Sequence, residues 1–501
     1  MLRRTFLSTT IAAALAECLP GQQTAKFNDN PFKLGIASGD PASDGFVLWT
    51  RLLGDSLSAP VEVNWRVASD DQMRSVVKKG KAMASADLAH SVHAEVNGLK
   101  PNRDYWYQFS TGKEESPIGR ARTAPPLNAD LDKLTFAFAS CQSYEAGYWT
   151  AYDHMVAENL DLVVFLGDYI YENGPSQSNT PRKHDAPEIF TLADYRRRYT
   201  LYKSDPKLQK AHAYAPWIVT WDDHEVDNDY ANDHQEHGAP RDQFMERRAN
   251  GYQAYYEHMP LRIGAKPRGS VMQLYRRIPY GRFAEFQVLD TRQYRNPQPC
   301  GGSGTRPQCA QALDSKQTIM GETQTKWLLD GLSNSKARWN VVAQQVTFAK
   351  ADLKPGPEYG ESMDKWGGYE ASRSAVMDLL ATKRISNPVV ITGDVHSNWA
   401  FDLKEKWFEE NSATLGNEFV GTSIASGGDG RDKLDITDQE LAENPQLKFF
   451  NAQRGYVKCT ITQKEWRTDY RVLPYVTRPD APVSTRASFV VESGKPGLQK
   501  A

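Results

Sequence analysis

Leu162-Val163-Val164-Phe165-Leu166-Gly167-Asp168-Tyr169-Ile170-Tyr171-Glu172 is an apolar run of strand length that breaks off at a glycine into acids and phenols. A short continuous apolar run closed by turn residues is the pattern of a strand buried on both faces, as in a parallel sheet. The same transition recurs along the chain. Leu134-Thr135-Phe136-Ala137-Phe138-Ala139 runs into Ser140-Cys141-Gln142, and Trp217-Ile218-Val219-Thr220-Trp221 runs into Asp222-Asp223-His224-Glu225-Val226-Asp227-Asn228-Asp229. Pro388-Val389-Val390-Ile391-Thr392 ends in Gly393-Asp394-Val395-His396-Ser397-Asn398. Helical spacing over 148–160, 192–201, 323–332 and 373–380, with further strands over 283–289 and 339–343, gives the alternation of an α/β (α+β) layered domain, placed at 133–495.

Upstream, 32–126 breaks into short alternating runs such as Gly45-Phe46-Val47-Leu48-Trp49-Thr50 and Val61-Glu62-Val63-Asn64-Trp65-Arg66-Val67. Leu99-Lys100-Pro101 before Tyr105-Trp106-Tyr107 resembles the tyrosine corner of fibronectin/Ig-like sandwiches, so an all-β sandwich domain is expected here. Pro125-Pro126, with fixed φ and no backbone donors, marks its end. The first 20 residues are read as an address: Arg3-Arg4-Thr5-Phe6-Leu7, a small-residue apolar stretch, then Ala14-Leu15-Ala16 resemble a twin-arginine-type signal peptide. The expectations are export to the periplasm or outside through the twin-arginine machinery, and a monomer. Cys18 follows Glu17, not the small residue a lipid-anchor site wants.

The 501 residues are 40% hydrophobic and 24% charged, which excludes a disordered or fibrous chain. A net charge of -2, from 60 basic and 62 acidic residues, provides no whole-protein field for nucleic acid. No apolar run is long enough to span a bilayer. Five cysteines are no disulfide scaffold, although Cys300 and Cys309 flank a short Gly/Pro-rich stretch that a disulfide can close. Cys459 reads as a buried thiol.

Ligands of open α/β sheets bind beyond the carboxyl ends of the strands. The clusters there offer oxygen, imidazole and thiolate donors, which together can make a site for more than one metal ion. Taken singly each has a plainer reading: a Gly-Asp turn, a helix cap at Asp222-Asp223, a packed small thiol at Cys141. Their succession in order, each closing an apolar strand, favours the site.

That order and spacing resemble the calcineurin-like metallophosphoesterases, and Gly167-Asp168-x-x-Tyr171 resembles the purple-acid-phosphatase version of the second block. Three departures matter: Cys141 replaces an acid, Asp223-His224-Glu225 replaces Asn-His-Glu, and Asp394-Val395-His396 replaces His-x-His. With Ser38-Gly39-Asp40-Pro41 and Leu48-Trp49-Thr50-Arg51 in the front domain, they resemble the PhoD-type alkaline phosphatase/phosphodiesterase family over nearly the whole chain from about Phe32. The resemblance implies Fe3+ on Cys141, Asp168, Tyr171 and His396. It implies Ca2+, one or two ions, on oxygen donors drawn from Asp223, Asn228 and Asp394. Which of Asp222, Asp223, Asp227 and Asn228 ligate is left open by spacing.

His224 either faces the phosphate, as a donor or as the acid for the leaving group, or steadies a neighbouring group. Arg373 stands where the resembled family keeps a phosphate clamp; the alternative is an exposed helix arginine. Gln345 is a candidate supporting donor. His234 and His237 read as solvent-facing, Arg196-Arg197-Arg198 as a solvated helix face, and Gly421-Thr422-Ser423-Ile424-Ala425 as a strand-to-loop turn, since it lacks the second glycine of a nucleophile elbow. The expected activity is metal-dependent hydrolysis of phosphate esters at alkaline pH, by metal-activated oxide or hydroxide attack on phosphorus. The rivals are a phospholipase D-like phosphodiesterase on lipid or teichoic-acid diesters, a non-catalytic exported metal-binding protein, and a thiol enzyme built on Cys141 and His224.

Overall fold

In the computed structural model, which describes residues 27–54, 57–235, 238–354 and 356–501, the strand Leu162–Phe165 lies between two parallel neighbours. Lys133–Ala139 pairs on one side, Val163 opposite Ala137, and Trp217–Val219 on the other, Val164 opposite Ile218. Side chains alternate along a strand. Leu134, Phe136, Phe138, Leu162, Val164 and Ile218 therefore share one core with Phe286, Val341, Ile391 and Phe419 of a second sheet. Ala137, Ala139, Val163, Phe165 and Trp217 lie in another, beneath the helices Ala151–Val156, Leu192–Lys203, Pro206–Tyr214 and Arg241–His258. Burial on both faces is why these strands read as unbroken apolar runs.

In the second sheet Ala284–Val288, Trp339–Ala343, Pro388–Thr392 and Thr414–Val420 run parallel in that order. The helices Gly321–Asn334 and Glu370–Lys383 pack on its outer face through Leu328, Leu332, Val376 and Leu380. The strand Leu447–Thr462 joins both sheets, with Asn451 opposite Asn398 in the second and Val457 opposite Phe138 in the first. The result is a layered α/β domain, two sheets face to face with helices outside.

The front of the chain is all-β. Val61–Ala68, Val76–Ala84, Asp104–Thr111 and Gly119–Arg122 form one sheet, facing Ile36–Ala42, Gly45–Arg51 and Ser91–Val96 across Phe46, Leu48, Val63, Val67, Tyr107 and Phe109. Tyr105 Oη donates to the Lys100 carbonyl at 3.1 Å and accepts from the Lys100 N–H at 2.9 Å, a tyrosine corner. Gly39 pairs in parallel with Trp217, so this sheet continues the first sheet of the α/β domain.

The helix expected over 148–160 shrinks to Ala151–Val156. The Tyr148 N–H bonds the Val476 carbonyl at 2.7 Å instead of opening a helix, and Asn159 turns left-handed at φ 54. The expected export signal, Cys18 and His237 lie outside the described residues. No described helix is long and apolar enough to cross a membrane.

Candidate metal centre

The parallel strands of both sheets empty their carboxyl ends into one place. Here the backbone leaves ordinary conformations: Cys141 (φ 58), Asp168 (φ 56), Asp394 (φ 68) and His396 (φ 53) all sit in the left-handed region that non-glycine residues rarely adopt. Such strain gathers where surrounding structure over-determines a functional geometry. Gly167 (φ +111) lets two loops touch, since a Cβ there would meet Asp222 Cβ at 2.5 Å. Gly393 does the same against Ser140 Oγ, also at 2.5 Å. The Cys141 and Gln142 N–H groups donate to the Gly167 and Asp168 carbonyls, both at 3.0 Å, and lock the first two loops together.

Cys141 Sγ, an Asp168 oxygen and a His396 ring nitrogen lie within 4.8 Å of one another, and so do ligand atoms of Asp168, Asp223 and His224. Asp168 belongs to both groups. Tyr171 Oη is 3.0 Å from Asp168 Oδ2, 3.4 Å from His396 Nε2 and 2.7 Å from Ser426 Oγ. The structure thus brings together six of the expected residues: Cys141, Asp168, Tyr171, Asp223, His224 and His396. The Oδ1 atoms of Asp168 and Asp223 are buried with no hydrogen-bond partner; Arg292 Nη2 stands 3.7 Å from the Asp223 oxygen, whereas the Asp168 oxygen is costly to bury unless a cation takes it.

The electrostatics agree with that donor set. Burial pushes the Cys141 thiol well up, and the Asp168 charge adds to it. Burial also raises Tyr171, helped by Asp168 and Cys141, and raises Asp168, where His224 opposes and Asp223, Asp222 and Glu225 add. A bound cation reverses this logic and deprotonates its ligands. For His224 burial works against the charge, but Glu172, Asp168 and Asp223 outweigh it and hold the imidazole well above its ordinary value. Burial, then the Arg454 charge, lowers His396 to about 3, which keeps that ring neutral and fit to ligate.

Residues that sequence reading passed over hold the pieces still. Glu225 accepts the N–H groups of Asp168 (3.2 Å), Tyr169 (2.5 Å) and Asp222 (2.8 Å), tying two strand-end loops. Glu172 fixes His224 Nδ1 at 2.7 Å and accepts the Asn228 N–H at 3.0 Å. Both glutamates stand inside the quoted clusters, one step from candidate ligands, so their position was a usable signal. Arg292, wholly buried, joins Asp222 at 2.6 Å to both oxygens of Asp364 at 2.8 Å. Nothing local in the sequence reveals that network.

Asp222 and Asp227 are engaged by Arg292 and by Arg247, the latter at 2.9 Å. Asp394 is ion-paired with Lys365 and stands outside both candidate groups. Arg373 is not an exposed helix arginine: it is buried, bonded to Glu361 at 2.7 and 3.2 Å and paired with Glu370. With two carboxylates already on its guanidinium, the expected clamp role does not fit this geometry. Gln345 ties strand ends together, taking the Thr291 hydroxyl at 2.7 Å and donating to the Leu289 carbonyl at 2.8 Å. Arg196-Arg197-Arg198 is not simply a solvated face, because Arg198 is wholly buried and donates to the carbonyls of Tyr171, Asn173, Ala186 and Pro187. Cys300 and Cys309 form a disulfide, Cys459 is a buried free thiol, and His234 is exposed beside Asp233.

Two family models match the chain: the PhoD-like phosphatase over residues 136–470 and the PhoD-like phosphatase N-terminal domain over residues 16–125. The chain is 51% identical over 484 residues to alkaline phosphatase D of Bacillus subtilis (strain 168), covering 95% of this chain and 83% of the relative. A solved structure described as that of PhoD superposes with a TM-score of 0.93 at 51% identity, covering 95% of this chain and 93% of its own. On these matches, the chain belongs to the PhoD-like phosphatase family.

Proposed function

We propose that this protein is an exported alkaline phosphatase, a phosphoric ester hydrolase whose centre is built on two kinds of metal ion sharing Asp168. The supporting observation is that Asp168 lies within ligand reach of Cys141 and His396 on one side and of Asp223 on the other, while its Oδ1 is buried without a partner. In this reading Cys141, Asp168, Tyr171 and His396 hold Fe3+, because thiolate and phenolate donate strongly and favour the higher oxidation state. Asp168, Asp223, Asn228 and Asp394 would hold Ca2+, which prefers flexible oxygen-only sites. When bound, such ions polarise a phosphoryl oxygen and lower the pKa of water.

The chain's own residues supply the rest. Glu172 occupies His224 Nδ1, which leaves Nε2 as the free donor. In this reading Nε2–H faces a phosphoryl oxygen, and His224, when protonated, passes that proton to the leaving alcohol. For Asp394 to ligate, Lys365 must release it, and the freed ammonium is then available to a phosphate oxygen. Loss of the acid in His224→Asn should lower kcat by about 10²- to 10⁴-fold. The loss should grow as the leaving alcohol becomes more basic; an equal loss for all leaving groups would remove the acid role. The Cys300–Cys309 disulfide supports an oxidising compartment, and Arg3-Arg4 supports the twin-arginine route. The reading is tested by elemental analysis of the purified protein beside turnover of a phosphate monoester and a diester. Turnover of neither ester by metal-replete protein would overturn it.

A further inference from the structure

The stretch Cys300-Gly301-Gly302-Ser303-Gly304-Thr305-Arg306-Pro307-Gln308-Cys309 holds three glycines and no large apolar side chain. Such a segment loses much chain entropy on ordering and buries little in return. The Cys300–Cys309 disulfide supplies the constraint that packing cannot. The closed loop is then pinned along one neighbouring segment. Thr305–Arg306 pairs with Glu361–Ser362, and the Ser303 and Gly304 carbonyls accept the Asp364 and Met363 N–H groups, both at 3.2 Å. Gln308 Nε2 donates to the Gly367 carbonyl at 2.9 Å.

That neighbouring segment leads to the centre. Asp364 holds Arg292 through both oxygens, and Arg292 in turn holds Asp222 and stands 3.7 Å from Asp223. Lys365, next in the chain, pairs with Asp394. Gln298, two residues before Cys300, makes a second link. Its Nε2 donates to the Asp364 carboxylate at 2.7 Å and to the Asp229 carbonyl at 2.6 Å, and the Asp229 N–H donates to Asp223 Oδ2 at 2.7 Å. The loop's lines of contact thus end on Asp222, Asp223 and Asp394. Cys141, Tyr171 and His396 are held by different neighbours: Ser426 bonds the Cys141 carbonyl and Tyr171 Oη, and Arg454 donates to the His396 carbonyl.

We infer that the disulfide-closed loop 300–309, with Gln298, is a positioning brace for the Asp223 half of the centre. Cross-linking of the loop then sets the affinity of the ion held there and leaves the Cys141 half untouched. The inference rests on the two-metal reading, which gives Asp223 and Asp394 to Ca2+. Outer groups that orient a metal's ligands typically carry about ten- to a hundredfold in metal affinity.

The test is calorimetric titration of Ca2+ into the iron-loaded, calcium-depleted full-length protein, for wild type, the double variant Cys300→Ala/Cys309→Ala, and Gln298→Leu. Substitution is used in place of chemical reduction because a dithiol would itself compete for the metals. Both variants should bind Ca2+ about tenfold more weakly. Their visible absorbance should match that of wild type, and excess Ca2+ should restore turnover. Gln298→Leu keeps the disulfide, so it reports even if the open loop prevents folding. Unchanged calcium affinity in a folded variant overturns the brace. So does parallel loss of the iron absorbance, which would make the loop a prop of the whole fold. If wild type binds no Ca2+, the two-metal reading fails and the inference falls with it.

Discussion

Asp168 shows how a single side chain can define this centre. It ends a buried strand, takes a left-handed φ of 56 that Gly167 and the Glu225 carboxylate help hold, and leaves one buried oxygen without a hydrogen bond. Asp168→Ala should lose bound metal and activity together; a variant that keeps its metal and near-normal turnover would remove the shared-ligand assignment. Cys141→Ser should keep the fold, since the site is small and buried, but bind iron more weakly because an alcohol does not ionise as a metal-bound thiol does. Full metal content with lost turnover would point to a nucleophile instead. These residues were legible because each closes an apolar strand. The burial of Arg373 against Glu361 was not legible, because only folding brings the two together. Far from the centre, burial raises Glu440 from 4.5 to about 7, and its Oε2 has no hydrogen-bond partner. The fold binds that proton more tightly than the unfolded chain does, so the contribution is full below about 4.5 and is lost as pH climbs through about 7. Glu440→Gln should match wild type in urea unfolding at pH near 4 and exceed it at pH near 8 by about 1 to 2 kcal/mol. An equal difference at both pH values would show that Glu440 ionises normally.

Elements differ in how plainly they announce themselves. Strands buried on both faces carry their signal in composition, and Trp339–Ala343 and Pro388–Thr392 match the expected limits residue for residue. Arg241–His258, the longest helix among the described residues, escaped notice for a physical reason. Its buried positions include Arg247, Arg248, Glu257 and His258 beside Tyr252, Tyr255 and Tyr256, so no apolar period shows. The arginine triplet on Leu192–Lys203 illustrates the same limit. Successive residues on a helix point about 100° apart, so three identical neighbours meet three environments. Arg198 lands inside, on carbonyls of the loop that carries Tyr171, while Arg197 stays at the surface on Asp194. Arg198→Met should therefore act at the centre from a distance. Four carbonyls, those of Tyr171 and Ala186 in buried residues, would lose a charged donor, at about 3 kcal/mol of stability. Hydrogen exchange should speed up across 171–190 before it does elsewhere; uniform acceleration would mean the arginine serves only global stability.

At the scale of the whole molecule, the sandwich and the α/β domain are fastened by more than a linker. Gly39 continues the central sheet onto Trp217, Trp49 Nε1 donates to the Glu257 carbonyl at 2.9 Å, and Asp40 meets Arg276 at 2.6 Å. Strand and turn patterning marks two regions and says nothing of this seam, because the contacts join residues some 200 positions apart. Calorimetry of the full chain should show one cooperative transition, whereas a separate early transition for the sandwich would mean the seam is weak. In the proposed reading one centre holds two chemically different metals. Its most direct test is to treat the purified enzyme with a calcium-selective chelator while following visible absorbance and aryl-phosphate hydrolysis in the same sample. Hydrolysis should stop, the absorbance of Tyr171-bound iron should largely persist, and added Ca2+ should restore turnover. Collapse of the absorbance with the activity, or rescue by zinc and not by calcium, would contradict it.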